Sequence, residues 1–84
     1  MLNQEIRFIP AKEARAKFGL GPTAWADRVK GGAIPPPLKN GKLNMWLEHE
    51  LNVVLKAHVR GFDKDAIRLV VADLVAKRAE LAES

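Results

Sequence analysis

The stretch from Gly19 to Trp46, GLGPTAWADRVKGGAIPPPLKNGKLNMW, carries signals for a short helix, a proline corner and a basic hairpin in direct succession. Pro22 favours the start of a helix, because the missing N–H of proline would have no partner in the first turn. Gly31-Gly32 ends the segment, since glycine enters the left-handed conformation of a helix C-terminus without steric cost. The pattern predicts a helix between these points, with Trp25 and Val29 on its inner face. The opposite face then carries Thr23, Ala26, Asp27 and Lys30.

The residues after this helix predict the hairpin. Pro35-Pro36-Pro37 forms a stiff extended segment, which suits a corner and does not suit the middle of a helix or sheet. Asn40-Gly41 is the dipeptide that best favours a two-residue hairpin turn. Leu38-Lys39 precedes the turn and Lys42-Leu43 follows it, so two lysines would lie beside the tip. A short helix followed by a basic β-hairpin is typical of a winged helix-turn-helix.

The residues before this stretch predict a strand and a first helix. Residues 6–9 favour a short strand ended by Pro10, which we expect to pair with the hairpin or to cover the core. Residues 11–18 then form an amphipathic helical pattern that Gly19 ends. Two short helices joined by so tight a turn form a helix-turn-helix, whose second helix usually enters the major groove of DNA.

The residues after the hairpin predict a core anchor and a third helix. Trp46 is flanked by apolar residues, so we expect it in the core under the hairpin and not as an exposed platform for a base. Residues 48–61 begin with carboxylates, as the helix dipole favours, and end at glycine. Their apolar spacing predicts an inner face that includes His58 and Val59, whereas His49 is expected at the surface.

A final helix is predicted from Lys64, with Asp63 as its N-cap and Phe62 packed on Ile67. Its apolar stripe reaches Leu81. So long a helix has more apolar surface than one layer easily covers, so packing on the core and self-association both remain open.

Together these elements predict a mainly α fold with a small β-hairpin wing. A winged helix-turn-helix domain would occupy residues 1–61, and a C-terminal helix over residues 62–84 would pack on it or mediate self-association. The 84 residues are near the lower limit for folding on a single core, so we expect one domain overall.

Positive charge is concentrated in the first half of the chain. Residues 7–42 contain eight basic side chains and two acidic ones, whereas residues 43–84 contain six basic and seven acidic ones. The basic half contains the predicted helix and hairpin, as expected if that half meets a polyanion. The excess of positive charge alone would fit a solvated surface equally well. The prediction of polyanion binding therefore depends on the overlap of this charge with the predicted helix and hairpin.

Several classes of protein are disfavoured by composition. The chain has no cysteine and no apolar run long enough for a membrane span, and residues 1–5 lack the basic start of a signal peptide. We therefore expect a cytoplasmic protein with no membrane contact. His49 and His58 are poorly spaced for a metal, and no nucleophile, base or cofactor motif accompanies them. We expect neither a cofactor nor enzymatic activity.

The order of these pieces over residues 8–61 resembles a known family. The matching features are the first helix at Ala11–Gly19, the core positions Trp25 and Val29, the helix end at Lys30 and Gly32, the corner at Ile34-Pro35 and Pro37, the turn at Asn40-Gly41-Lys42, and Trp46. They resemble the small phage and prophage regulators of the AlpA type, and are similar to excisionases (recombination directionality factors), which share a MerR-like winged-helix fold.

This resemblance implies DNA binding, with the second helix in the major groove and the wing against the minor groove or the backbone. It also implies control of the excision of a prophage or integrative element. Such control would act architecturally at an attachment site or by activating an integrase promoter, and an integrase is a further candidate partner.

The side chains expected to touch double-stranded DNA combine basic groups for phosphates with polar groups for base edges. They are Lys12, Arg15, Lys17, Thr23, Asp27, Arg28, Lys30, Lys39, Asn40 and Lys42. Asp27 would accept from a cytosine amino group or pair with Arg28 or Lys30, and Arg28 would contact DNA or stack on Trp25. If about four of the cations neutralise phosphates, the salt dependence of binding would have a slope near −3.6.

A second hypothesis remains open beside DNA binding. Family members usually have polar or basic residues where this chain has Gly21-Pro22, often a tyrosine in place of Ala26, and commonly a basic residue in place of Asp27. The alternative is a protein-interaction module of the same fold in phage assembly or packaging, comparable to a small terminase subunit. The last helix would then mediate oligomerisation.

Overall fold

A computed structural model of the chain describes residues 6–83, with the side chain of Glu83 left aside. Residues 1–5, for which no signal peptide is expected, lie outside this range, as does Ser84 at the end of the predicted 62–84 segment. The described chain is mainly helical, with a small three-stranded antiparallel sheet. The elements in chain order are β1 (Phe8–Pro10), α1 (Ala11–Phe18), α2 (Pro22–Lys30), β2 (Leu38–Asn40), β3 (Leu43–Leu47), α3 (Glu48–Val59), α4 (Lys64–Ala76) and α5 (Arg78–Glu83).

The boundaries of α1 and α2 are those that the sequence predicts. Gly19 has a φ of 66° and its N–H donates to the carbonyl oxygen of Ala16, so it ends α1 in the left-handed conformation. Pro22 occupies the first turn of α2. Gly32, with a φ of 83°, turns the chain after α2. The connection between the two helices is therefore limited to residues 19–21.

The sheet has the order β1-β3-β2, and both pairs of strands are antiparallel. Ile9 lies opposite Trp46, so the N-terminal strand pairs with the hairpin. This pairing was one of the two arrangements expected from the sequence. The central strand β3 runs from the core to the tip of the hairpin, and its residues change from buried at Trp46 and Leu47 to exposed at Leu43 and Asn44.

The hairpin turn differs by one residue from the prediction. Asn40 pairs with Leu43, so the two-residue loop is Gly41-Lys42 and not Asn40-Gly41. Gly41 has a φ of 66°, and no other residue type among residues 6–83 has a positive φ. Glycine at the first loop position, followed by a residue of negative φ, is the pattern of a type II′ turn. Asn40 therefore belongs to a strand, and Lys42 lies in the turn.

The core joins the sheet to the helices through aromatic rings. The ring of Trp25 makes edge contacts with Phe18, at a centroid distance of 5.6 Å, and with Trp46, at 5.3 Å. The indole N–H of Trp46 donates to the carbonyl oxygen of Pro35 over 2.8 Å, which fixes the proline corner against the sheet. Trp46 is 4% exposed, so its assignment to the core is confirmed. The main buried cluster comprises Ile9, Ala14, Trp25, Ile34, Trp46 and Leu51.

A second cluster lies between α3 and α4 and contains Val54, Ala57, Ile67 and Val71. The Asp63 side chain accepts a hydrogen bond of 2.8 Å from the N–H of Ala66, which confirms it as the N-cap of α4. Two expectations about α3 are wrong, because Val59 is 88% exposed and His58 is also exposed. Val54 and Ala57 set the buried face of α3, and Val59 falls on the opposite side.

The predicted C-terminal helix is interrupted at Lys77 and continues as α5. Directly after the interruption, the Arg78 guanidinium makes two hydrogen bonds, of 2.8 and 2.7 Å, to the Glu50 carboxylate. It also donates to the carbonyl oxygen of Pro36 over 2.8 Å. These contacts bring α5 across the sheet face opposite the Trp25–Trp46 contact, where Leu81 and Leu47 line one apolar groove.

Candidate nucleic-acid interface

The outer face of α2 is an exposed polar stripe formed by Thr23, Ala26, Asp27 and Lys30. The stripe is exposed because Trp25 and Val29 turn the other side of this helix into the core. It offers a hydroxyl, a carboxylate and an ammonium group at successive turns. This is the face that the sequence predicts for contact with DNA.

The hairpin extends beyond the core from the sheet face that packs on α2. Asn44 and Trp46 are two residues apart in β3 and share one face, and Lys39 lies directly opposite Asn44. Trp46 on this face contacts Trp25 of α2. Lys39 and Asn44 are therefore exposed on the α2 side of the hairpin, and Lys42 is exposed in its turn.

Most of the predicted cations have no carboxylate partner. Among the side chains of residues 6–82, six of them form no ion pair, namely Lys12, Arg15, Arg28, Lys30, Lys39 and Lys42. Lys17 differs, because its Nζ lies 3.6 Å from Glu48. The same carboxylate also accepts a hydrogen bond from Arg7 over 2.9 Å. Lys17 therefore belongs to a small ionic cluster with Arg7 and Glu48.

The two internal alternatives for Asp27 and Arg28 are not found. Asp27 forms no ion pair with Arg28 or Lys30 in the described part of the chain. Trp25 has the rings of Phe18 and Trp46 as its aromatic partners, and within residues 6–83 no cation lies over its face. Both charged side chains therefore remain free of these partners, Asp27 exposed and Arg28 half-buried.

A notch of about 450 Å³ lies where α2, α3 and α4 meet. Arg28, Lys64 and Arg68 line it together with Asp27. Arg68 is engaged, because it donates to the carbonyl oxygen of Gly31 over 3.0 Å and pairs with Asp65 at 3.3 Å. The Asp27 carboxylate lies among the other two cations, so the notch is less suited to a polyanion than the hairpin, whose two lysines have no carboxylate partner among the described side chains.

Two residues at the hairpin were missed by sequence reasoning. Asn44 shares the exposed face of Lys39, and Leu43 is exposed beside the turn. Their cross-strand partners depend on the register of β2 and β3. Moving the loop by one residue moves each partner by two, so that Lys39 lies opposite Asn44 and not Lys42. A glycine-first turn would have been the signal for this register, because Gly41 and not Asn40 takes the positive φ.

Residues 6–83 contain no group of three or more histidine, cysteine, aspartate or glutamate side chains that could hold a metal ion. Within the same range, no helix has the length and apolar character needed to cross a membrane.

Comparisons with protein-family models, with curated proteins and with solved structures each gave no significant match.

Proposed function

We propose that this chain is a winged-helix DNA-binding protein of the excisionase and phage-regulator kind, acting in the cytoplasm without enzymatic activity. Helices α1 and α2 form the helix-turn-helix, and the hairpin is the wing. The proposal is supported by one arrangement above all, in which Lys39 is exposed on the sheet face that packs on α2 and Lys42 is exposed in the adjoining turn. Neither lysine forms an ion pair with a described side chain.

The contacts follow from this arrangement. The outer stripe of α2 enters the major groove, where Thr23 and Asp27 reach base edges and Lys30 reaches a phosphate. Lys39 and Lys42 bind phosphates on either side of the wing, and Lys12 and Arg15 extend the contact along α1. With so few phosphate contacts, one copy binds weakly at physiological salt. Specificity would then require several adjacent copies or deformation of the DNA.

The first test is binding to a mixed-sequence duplex, measured by fluorescence anisotropy at several salt concentrations. We expect a log–log slope of about −3 or steeper for the unaltered protein. The double variant Lys39→Ala/Lys42→Ala should flatten the slope by about 1.8, because each phosphate contact contributes about 0.9. Binding to all sequences should weaken about equally.

The matched control is Lys56→Ala/Arg60→Ala, which removes the same charge from α3 and its C-terminal end. Both residues are exposed and form no ion pair with a described side chain. A control that flattens the slope as much as the wing variant would show that only net charge matters. Absence of binding at low salt would reject the DNA-binding proposal itself.

A second candidate function, self-association in a protein assembly, is favoured by a shallow apolar groove between α3 and α4. The groove consists of two adjoining pockets that share Val53, one lined by Leu74 and the other by Val70. Lys56 and Arg60 lie at one end. Glu80 lies at the other, beside Lys77, whose charge is already paired with Asp73. In an antiparallel pair of copies about a twofold axis, each basic end would meet the partner's acidic end.

Light scattering at high salt tests this second candidate. Self-association through the groove predicts a defined oligomer that Val53→Asp dissociates. Val59→Asp is the matched control, because Val59 is on the same helix, is 88% exposed and is not among the groove residues. A monomer at all concentrations, or equal effects of both variants, would reject the groove as an interface.

A further inference from the structure

The end of the hairpin presents a large apolar side chain that phosphate binding does not use. Leu43 is 64% exposed although it belongs to a strand. It lies directly opposite Asn40 and next to Lys42 in the turn. The adjacent pair, Lys39 and Asn44, is also exposed. Leu43 and Asn40 therefore share one face of the hairpin end beside Lys42, whereas Lys39 and Asn44 lie on the other face, because successive strand residues point to opposite sides.

This combination has a defined use in DNA recognition. Proteins that occupy the minor groove read it with lysine, arginine and amide side chains, and they often insert an apolar wedge between base steps. Phosphates attract lysine but gain nothing from leucine. The amide of Asn40 can donate to the N3 and O2 acceptors on the groove floor. The major groove is already assigned to α2.

The strand that carries Leu43 is a rigid support. β2 pairs with β3 from Leu43 to Met45, and β1 pairs with the last three residues of β3, of which Trp46 and Leu47 are held in the core. Trp46 is further fixed by its hydrogen bond of 2.8 Å to Pro35. A side chain that unstacks bases needs a rigid support, because a mobile loop would change its conformation before the base pairs separate.

We propose that Leu43 is a wedge that enters a base step from the minor groove and kinks the duplex, with Asn40 beside it on the groove floor. This inference rests on the proposed DNA-binding function and adds the part of the wing that deforms the DNA. A kink toward the major groove of between about 20° and 90° is the usual result of such insertion.

The test compares two end-labelled duplexes of the same mixed sequence, one fully paired and one with a single-base bulge at its centre. The bulge removes part of the unstacking cost, so a wedge protein should bind the bulged duplex about tenfold more tightly. Energy transfer between the end labels reports the bend. Leu43→Ala should lose both the preference and the bend, with the salt slope unchanged because no charge is removed.

Two variants serve as controls. Leu43→Met should keep most of the preference, since methionine also acts as a wedge. Leu69→Ala removes a leucine that is 72% exposed on α4 and should behave as the unaltered protein. If Leu43→Ala keeps the bend and the preference while DNA binding persists, the wedge is overturned and the DNA-binding function stands. Absence of binding to either duplex at low salt overturns both.

Discussion

The cations of α2 and the hairpin differ from those of the C-terminal helices in what they contact. Arg28 of α2 is half-buried, whereas the other three cations of α2 and the hairpin are exposed and form no ion pair with a described side chain. These outward cations are Lys30, Lys39 and Lys42. Three of the four cations of the C-terminal helices each have a carboxylate partner. These paired cations are Arg68, Lys77 and Arg78.

The comparison shows that cations of equal charge have different roles in the two regions. An outward cation contributes little to folding, because water solvates it equally well in the unfolded chain. It remains available for an external polyanion and adds to the positive field on that side. A paired cation is neutralised within the fold, and the Arg78–Glu50 pair in addition links α5 to α3. Lys64, at the start of α4, is the fourth cation of the C-terminal helices and has no carboxylate partner among the described side chains.

The strongest test of this contrast is to break the Arg78–Glu50 pair. Glu50 is 1% exposed, so Arg78→Ala leaves a buried carboxylate without its two hydrogen bonds. The free energy of unfolding should fall by about 3–5 kcal/mol, which is a large part of the stability of a small domain. Urea denaturation at pH 7 measures the loss.

The double variant Glu50→Leu/Arg78→Met is the control for this prediction. It removes both charges and fills the site with apolar groups of similar length, so it should recover most of the lost stability. If Arg78→Ala and the double variant destabilise equally, the cost arises from packing of α5 and not from an isolated charge.

This pair also marks the limit of sequence reasoning. Gly19 and Pro22 act through local backbone preferences, so the boundaries of α1 and α2 could be predicted from the sequence. Arg78 instead continues an apolar spacing that predicts one long helix. Its partner Glu50 is 28 residues away, where its carboxylate has a local explanation in the helix dipole. Only the packed fold shows that the two side chains meet.

The candidate site was likewise predictable only where it depends on residues that are close in sequence. The exposed stripe of α2 follows from helical spacing and the buried Trp25, both of which are local. Lys17 was also expected to face DNA, but Glu48 comes within 3.6 Å of it through the fold. The exposure of Leu43 depends on a register that one glycine sets.

A charge reversal among the outward cations is expected to have the next largest effect. Lys30→Glu places a carboxylate on the stripe of α2, where it would repel phosphates. Affinity for a mixed-sequence duplex should fall at least tenfold at low salt, with a slope flatter by about 0.9 or more. Unfolding should become easier by only about 0.3–1 kcal/mol, because a cation at the end of a helix is modestly favourable.

Anisotropy and urea denaturation on the same preparation separate these two quantities. Lys30→Gln is the intermediate control, and it should lose about half of the affinity change. A stability loss larger than the binding loss would mean that Lys30 belongs with the paired cations.

Arg68 is expected to show a smaller effect on stability alone. Its hydrogen bond of 3.0 Å to Gly31 ties α4 to the end of α2, but the side chain is largely exposed. Arg68→Ala should therefore lower the free energy of unfolding by about 1 kcal/mol. Lys64→Ala, one turn earlier, should change it by less than about 0.5 kcal/mol. If both variants lose the same free energy of unfolding, the contact with Gly31 is not the cause of the loss in Arg68→Ala.

The smallest effect concerns Lys77, the most exposed of the paired cations. Its Nζ lies 3.0 Å from the Asp73 carboxylate. The hydrogen bond and the charge of Asp73 raise the pKa of Lys77 above the ordinary lysine value, and the charge of Glu80 adds to this. A raised pKa in the folded state stabilises the fold below the unfolded pKa, and this contribution is lost as the pH rises through the folded pKa.

Asp73→Asn should therefore lower the pKa of Lys77 toward that of an unperturbed lysine, as an NMR titration of its side chain would show. Glu80→Gln should lower it less, because Glu80 acts through its charge alone. Any stability difference between Asp73→Asn and the unaltered protein should vanish above the folded pKa, where Lys77 is neutral in both. A difference that persists there would come from the Asp73 side chain itself and not from its pairing with Lys77. Lys77 would then no longer belong among the paired cations.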